Sequence, residues 1–234
     1  MSDYMPPFTP QPPGAPGSFT GIPEAGGAVQ EIIPWEERAT RGWIDALVEN
    51  VKLCLFEPAD FFRRMPRAGD LGSPVLYILI LGWIGGGVTQ VWQYLFGQWF
   101  GSFLGQPPPA LGFTIGMIVG FPFGIVIGLF IGAGILHLGL MIVGGAKSGF
   151  ESTLRVMAYS TGSAGIFQVV PILGPLVGGI WGMVIEIMGL AKVNNITYLR
   201  ATVAVFLPIL ACCACIGAGA AIMIPMIMKA INAA

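Results

Sequence analysis

The chain has 234 residues, 55% of them hydrophobic and only 10% charged, with a net charge of −1 and a mean hydropathy of +0.78. A soluble domain carries about 25% charged residues, so this chain has too little polar surface to cover a water-exposed globule, and no basic stripe stands clear of its apolar runs to meet a nucleic acid. Several of those runs exceed the roughly 18 residues that mark a membrane helix, which defines an all-α, polytopic membrane protein.

Residues 1–34 differ from the rest. Pro7, Pro10, Pro13 and Pro16 recur every third residue, a spacing that aligns them on one face of a polyproline II helix. The segment has few large apolar residues and no Lys or Arg, so it builds no core and lacks both the basic and the apolar part of a signal peptide. The expectation is a disordered proline-rich tail.

Residues 35–70 read as amphipathic juxtamembrane helices. Ile44, Leu47, Val48, Val51, Cys54 and Leu55 recur at helical spacing with Asp45, Glu49 and Lys52 between them. Thr40 is the expected N-cap and Pro58 the stop. A second short helix then carries Phe61 and Phe62 beside Arg63, Arg64 and Arg67. Aromatic rings next to guanidinium groups suit the headgroup layer, so these five residues are the expected lipid-headgroup contacts.

Residues 71–234 form the membrane domain, with spans expected near 74–96, 111–144, 151–170, 176–191 and 201–228. The second is long, and reads as one helix tilted or kinked at Pro122. Gly116, Gly120, Gly124, Gly128 and Gly132 repeat every four residues within it, and Gly178 and Gly182 do so in the fourth. Small residues at this spacing let helix backbones approach closely, so these glycines are the expected packing faces, toward neighbouring spans, a membrane-protein partner or a second copy of the chain.

Charge sets the orientation. Of the 11 Lys and Arg residues, all but Lys229 fall on one side if the chain crosses five times. Basic loops stay cytoplasmic, so the amino terminus is expected in the cytoplasm and the carboxyl terminus outside. Cys212, Cys213 and Cys215 lie in an apolar span with a single His in the whole chain, and read as small buried packing thiols rather than metal ligands. Nothing resembles a His-Glu-x-x-His site, a nucleophile elbow or a phosphate loop. No catalytic, metal or cofactor site is therefore expected.

Glu186 and His137 are the ionisable residues well inside spans, about 9 Å and 10 Å from their cytoplasmic helix ends, with Arg155 one turn into the third span. Such groups are costly in lipid and face other helices or water. Together they form the expected polar pocket.

Several stretches also resemble the Yip (Ypt-interacting protein) domain family over about residues 36–210. They are Glu57-Pro58-Ala59-Asp60-Phe61-Phe62, the segment Gly144–Ser160, the tip Val170-Pro171-Ile172-Leu173-Gly174, and Gly189-Leu190-Ala191-Lys192. Asp70-Leu71-Gly72-Ser73-Pro74 is similar to the Asp-Leu-Tyr-Gly-Pro motif of eukaryotic members, without its Tyr and with its Gly shifted. Those members bind prenylated Rab-type GTPases and act in vesicle traffic and membrane shaping. For a bacterial member the resemblance implies the fold and an inner-membrane location. The reading is a non-catalytic membrane scaffold or membrane-shaping protein that works through helix packing and partner or lipid binding. The alternative is a small-solute or proton-linked transporter using the pocket around Glu186 and His137.

Overall fold

The computed structural model describes residues 32–105, 107 and 110–232, and the proline repeat of the tail lies outside them. Among the described residues every regular element is helical. A 3-10 turn, Pro34–Glu37, leads into α1 (Arg38–Arg41). Then follow α2 (Trp43–Phe56), α3 (Pro58–Arg64), α4 (Gly72–Leu104), α5 (Leu111–Ile142), α6 (Gly149–Ala164), a second 3-10 turn (Gly165–Val169), α7 (Leu173–Asn194) and α8 (Tyr198–Asn232).

Local chemistry explains the breaks. Gly42, at φ 93°, separates α1 from α2 with a conformation that costs a glycine little. The Thr40 hydroxyl donates back to Glu37 O and so caps no helix, contrary to expectation. Pro58 opens α3, where a missing N–H is harmless, and the Asp70 carboxylate accepts from Gly72 N (2.8 Å) at the start of α4. At the tip between α6 and α7, Leu173 N bonds Pro171 O (2.7 Å) around Ile172 at φ 66°. This is a tight γ-turn in a region that β-branched residues avoid.

Four helices are long and apolar enough to cross a membrane: α4, α5, α7, and α8 as far as Pro225. The expected third span is different. It is a 16-residue helix ending in a 3-10 turn, and it buries Ser152, Arg155, Ser160 and Ser163 against its neighbours.

Neighbouring side chains give the directions. Gly82 faces Ile125 and Gly86 faces the Phe121 ring, so α5 returns antiparallel to α4. Gly132 meets Met157, Gly189 meets Val156, and Gly178 lies on the carbonyl of Ala164, which run α6 back along α5 and α7 back along α6. Gly139 on Ala204 and Gly145 on Ile196 place α8 antiparallel to α5. The start of α4, end of α5, start of α6, end of α7 and start of α8 therefore gather at one end, here called the inner end. Asn194 Oδ1 accepts from Lys147 N and Ser148 N, both at 3.0 Å, tying two of the connections together there.

Pro122 in α5 and Pro208 in α8 lie inside membrane helices, and each leaves a carbonyl four residues earlier without its N–H partner. For Pro122 in α5 that carbonyl is Ile118 O, which accepts from Trp83 Nε1 of α4 at 2.9 Å. For Pro208 in α8 it is Ala204 O, which the bare Gly139 of α5 covers so closely that a Cβ there would stand 2.6 Å away. The first orphaned acceptor is thus satisfied by a neighbouring helix, as lipid surroundings require, and the second is covered by one.

The glycine ladder of α5 is met only in part. Gly132, and Gly178 and Gly182 of α7, approach other helices, whereas a Cβ at Gly116, Gly120, Gly124 or Gly128 would meet nothing within 4 Å among the described residues. The thiols of Cys212, Cys213 and Cys215 are exposed rather than buried.

Candidate functional site

The inner end holds a network built on residues preceding the first span. Trp35 is fully buried. Its ring N–H donates to Ser73 O (2.9 Å), and its backbone N–H donates to Asn50 Oδ1 (3.2 Å). Its ring meets that of Tyr77, centroids 5.4 Å apart, and Tyr77 in turn meets Tyr159 at 5.0 Å. Such tilted aromatic contacts are the favoured geometry and fix ring positions. The Tyr77 hydroxyl shares a 2.7 Å hydrogen bond with Ser163.

Beside this cluster lies Arg155, only 1% exposed. It donates to Asp70 O (2.8 Å), Glu151 Oε1 (3.0 Å) and Glu36 Oε1 (3.3 Å), and Glu36 also accepts from the Tyr159 hydroxyl (2.8 Å). One guanidinium thus joins the pre-membrane turn, the start of α4 and α6. A fork of fixed donors makes Arg suited to such a three-way contact.

One face of the α2–α3 hairpin packs on the bundle. Val51, Cys54 and Leu55 are buried. Cys54 Sγ donates to Tyr159 O (3.6 Å), and burial pushes its thiol pKa up to about 12. Phe61 packs on Tyr159 with centroids 5.4 Å apart, and Phe62 fills the space above Gly189. The tip of α2 reaches the middle of α7, where Trp181 Nε1 donates to Leu55 O (3.1 Å). Phe61 and Phe62 are therefore core residues, not headgroup contacts as expected. Arg63 and Arg67 are exposed, and both Arg63 and Arg64 pair with Asp60.

The expected pocket of Glu186, His137 and Arg155 is not assembled. Arg155 is engaged in the inner network. His137 Nδ1 shares a 3.0 Å hydrogen bond with Thr153 Oγ1, and its ring meets that of Phe150 edge-on. Glu186 instead lines a cavity of about 270 Å³ between α6 and α7, together with Thr161, Gln168, Gly178, Gly179 and Gly182. Glu36, Trp35 and Asn50 are not singled out by the sequence. The signal for the first two is the run Trp35-Glu36-Glu37-Arg38 just ahead of an amphipathic stretch; Asn50 has none.

Comparison with known proteins adds one finding. The Yip1 domain family matches the chain over residues 52–219, from the middle of α2 to the small-residue part of α8. No curated protein and no solved structure matches it.

Proposed function

Because the chain belongs to the Yip1 domain family and carries four helices fit to cross a bilayer, we propose that this integral membrane protein is a non-catalytic scaffold or membrane-shaping protein acting through its inner leaflet. The observation that carries the reading is the two-sided α2. One side is buried on α6 and α7, while Trp43, Ile44, Val48 and Phe56 on the other are exposed. Ile44, Val48, Lys52 and Phe56 follow at four-residue steps and so share a face; the Lys52 stem lies among them with its ammonium free to reach the headgroups. A helix of this kind adds volume to one leaflet only, and the Arg155 network holds it against the spans.

The topology that fits is five passes of the chain. In it, α6 and its 3-10 turn carry the polypeptide from the inner end of α5 to the outer end of α7. Arg63, Arg67, Lys147, Lys192 and Arg200 all belong to the inner end, which favours a cytoplasmic amino terminus and an external carboxyl terminus in a bacterial inner membrane. Partners would be lipids at α2 and, at the unmatched glycines of α5, a second copy or another membrane protein.

The test is reconstitution of the full chain into anionic vesicles, with vesicle diameter read by electron microscopy. The intact protein is expected to shrink or tubulate vesicles. A variant with Ile44→Glu and Val48→Glu, both at exposed positions, is expected to insert and fold yet leave vesicle shape alone. Unchanged vesicles with the intact protein, or equal remodelling by the variant, contradicts the reading.

A further inference from the structure

Glu186 stands within a membrane-crossing helix and makes no hydrogen bond or ion pair among the described residues. A lone carboxylate at that depth is expensive unless something pairs with it. We propose that the cavity it lines holds the ammonium headgroup of an amine-bearing phospholipid, with Glu186 as counter-charge and Thr161 as a second acceptor. This rests on the lipid-binding part of the function proposed above and goes beyond it by naming a site and a headgroup class.

The lining defines the class. A carboxylate only accepts hydrogen bonds, and a threonine hydroxyl accepts as well as donates, so the Glu186–Thr161 end calls for a donor. At the other end, the Gln168 amide carries two N–H donors, and its contact with Thr89 Oγ1 (3.2 Å) uses at most one of them. The wall therefore wants a donor at one end and an acceptor at the other. A primary ammonium followed by phosphate and ester oxygens has that order. At about 270 Å³ the space is far larger than a bare cation.

The mouth decides the source. The lining residues of α7 run from Pro175 to Glu186, within its membrane-crossing length, and Thr161 and Gly179 are both exposed. The cavity thus opens sideways, into the bilayer, and an entrant comes from the lipid phase. Gly179 has nothing within reach of a Cβ, which leaves that side of the mouth open to a lipid chain.

Native mass spectrometry of the full-length protein from nonionic detergent tests this, with phosphatidylethanolamine compared against phosphatidylcholine. The choline nitrogen keeps the charge but has no N–H. Phosphatidylethanolamine is expected to be retained preferentially, and Glu186→Gln to weaken its retention about tenfold, the loss of one charge-assisted hydrogen bond. Should that variant fail to fold, Thr161→Val at an exposed position is expected to weaken retention about threefold. Equal retention of the two lipids, or retention indifferent to both substitutions, overturns the proposal. So does complete displacement by free ethanolamine, which would assign the site to a soluble amine, or a lipid-independent dimer that only Glu186→Gln dissociates. None of these outcomes depends on vesicle shape, so failure here is distinct from failure of the scaffold reading.

Discussion

The inner and outer halves of the bundle are held together by different physics. At the inner end, α2, α3, α6 and the adjoining ends of α4 and α7 enclose Trp35, Tyr77, Tyr159 and Phe61, all fully buried, around an arginine with three polar partners. In the outer half, α4 beyond Trp83, the first part of α5 and α8 beyond Val205 present mostly exposed apolar side chains. Only 6% of the apolar window of α8 is buried, against 33% for α7. Lipid tails are as apolar as leucine, so they give helices no hydrophobic reason to associate. The inner half therefore relies on polar and aromatic groups that specify one arrangement. The outer half is held at a few points of backbone contact, which leaves its faces available to lipid or another chain.

The sharpest way to break this contrast is at Arg155. Arg155→Met keeps the volume but leaves Glu151 without its cation and Glu36 with only Arg38, 3.9 Å away. Removing one partner of a buried ion pair costs about 3–5 kcal/mol. The lower value is expected because both carboxylates keep some exposure. Equilibrium unfolding in detergent should show it, together with proteolysis of the pre-membrane helices that the arginine anchors. A loss under about 1 kcal/mol would mean that the aromatic cluster alone holds the inner end.

A smaller effect is expected where α4 and α5 meet. Trp83→Phe keeps the ring but removes the N–H that satisfies Ile118 O, the acceptor orphaned by Pro122. Lipid offers no replacement donor, and leaving such an acceptor unsatisfied costs about 1–3 kcal/mol. If the hydrogen bond is the reason, the double variant Trp83→Phe with Pro122→Ala should recover most of the loss, since replacing the proline restores a backbone N–H that can pair with that carbonyl.

Much of this organisation is legible in the sequence, for reasons that differ by region. Helix length and hydropathy are local properties, so α5 is readable as one helix from Leu111, and α7 and α8 can be placed to within a few residues. The expected third span is harder. Its Ser152, Arg155, Ser160 and Ser163 read as a polar crossing helix, but their partners come from residues far away in the chain, such as Glu36 and Tyr77. No periodicity announces such pairs. Phe61 and Phe62 illustrate the same limit, because an aromatic beside an arginine suits a headgroup layer and a protein core equally well. The glycine ladder shows the converse. Spacing reveals that Gly116, Gly120, Gly124 and Gly128 permit close approach, but permission does not supply a neighbour. The candidate pocket is half visible: Glu186 stands out as an intramembrane acid, while its companions Thr161 and Gln168 are too ordinary to single out.

The contrast between the halves is tested most directly by one pair of glycines on the same helix. Gly139 and Gly124 are both on α5, yet a Cβ at Gly139 would meet the Ala204 carbonyl and one at Gly124 would meet nothing. Thermal unfolding of Gly139→Leu and Gly124→Leu, each in a detergent that keeps the chain monomeric, should separate them. Overpacking predicts a loss of about 1–3 kcal/mol for Gly139→Leu and no change in Tm for Gly124→Leu. If Gly124→Leu lowers the Tm of the monomer as much as Gly139→Leu does, the outer half is packed within the chain, and the division between the halves is wrong.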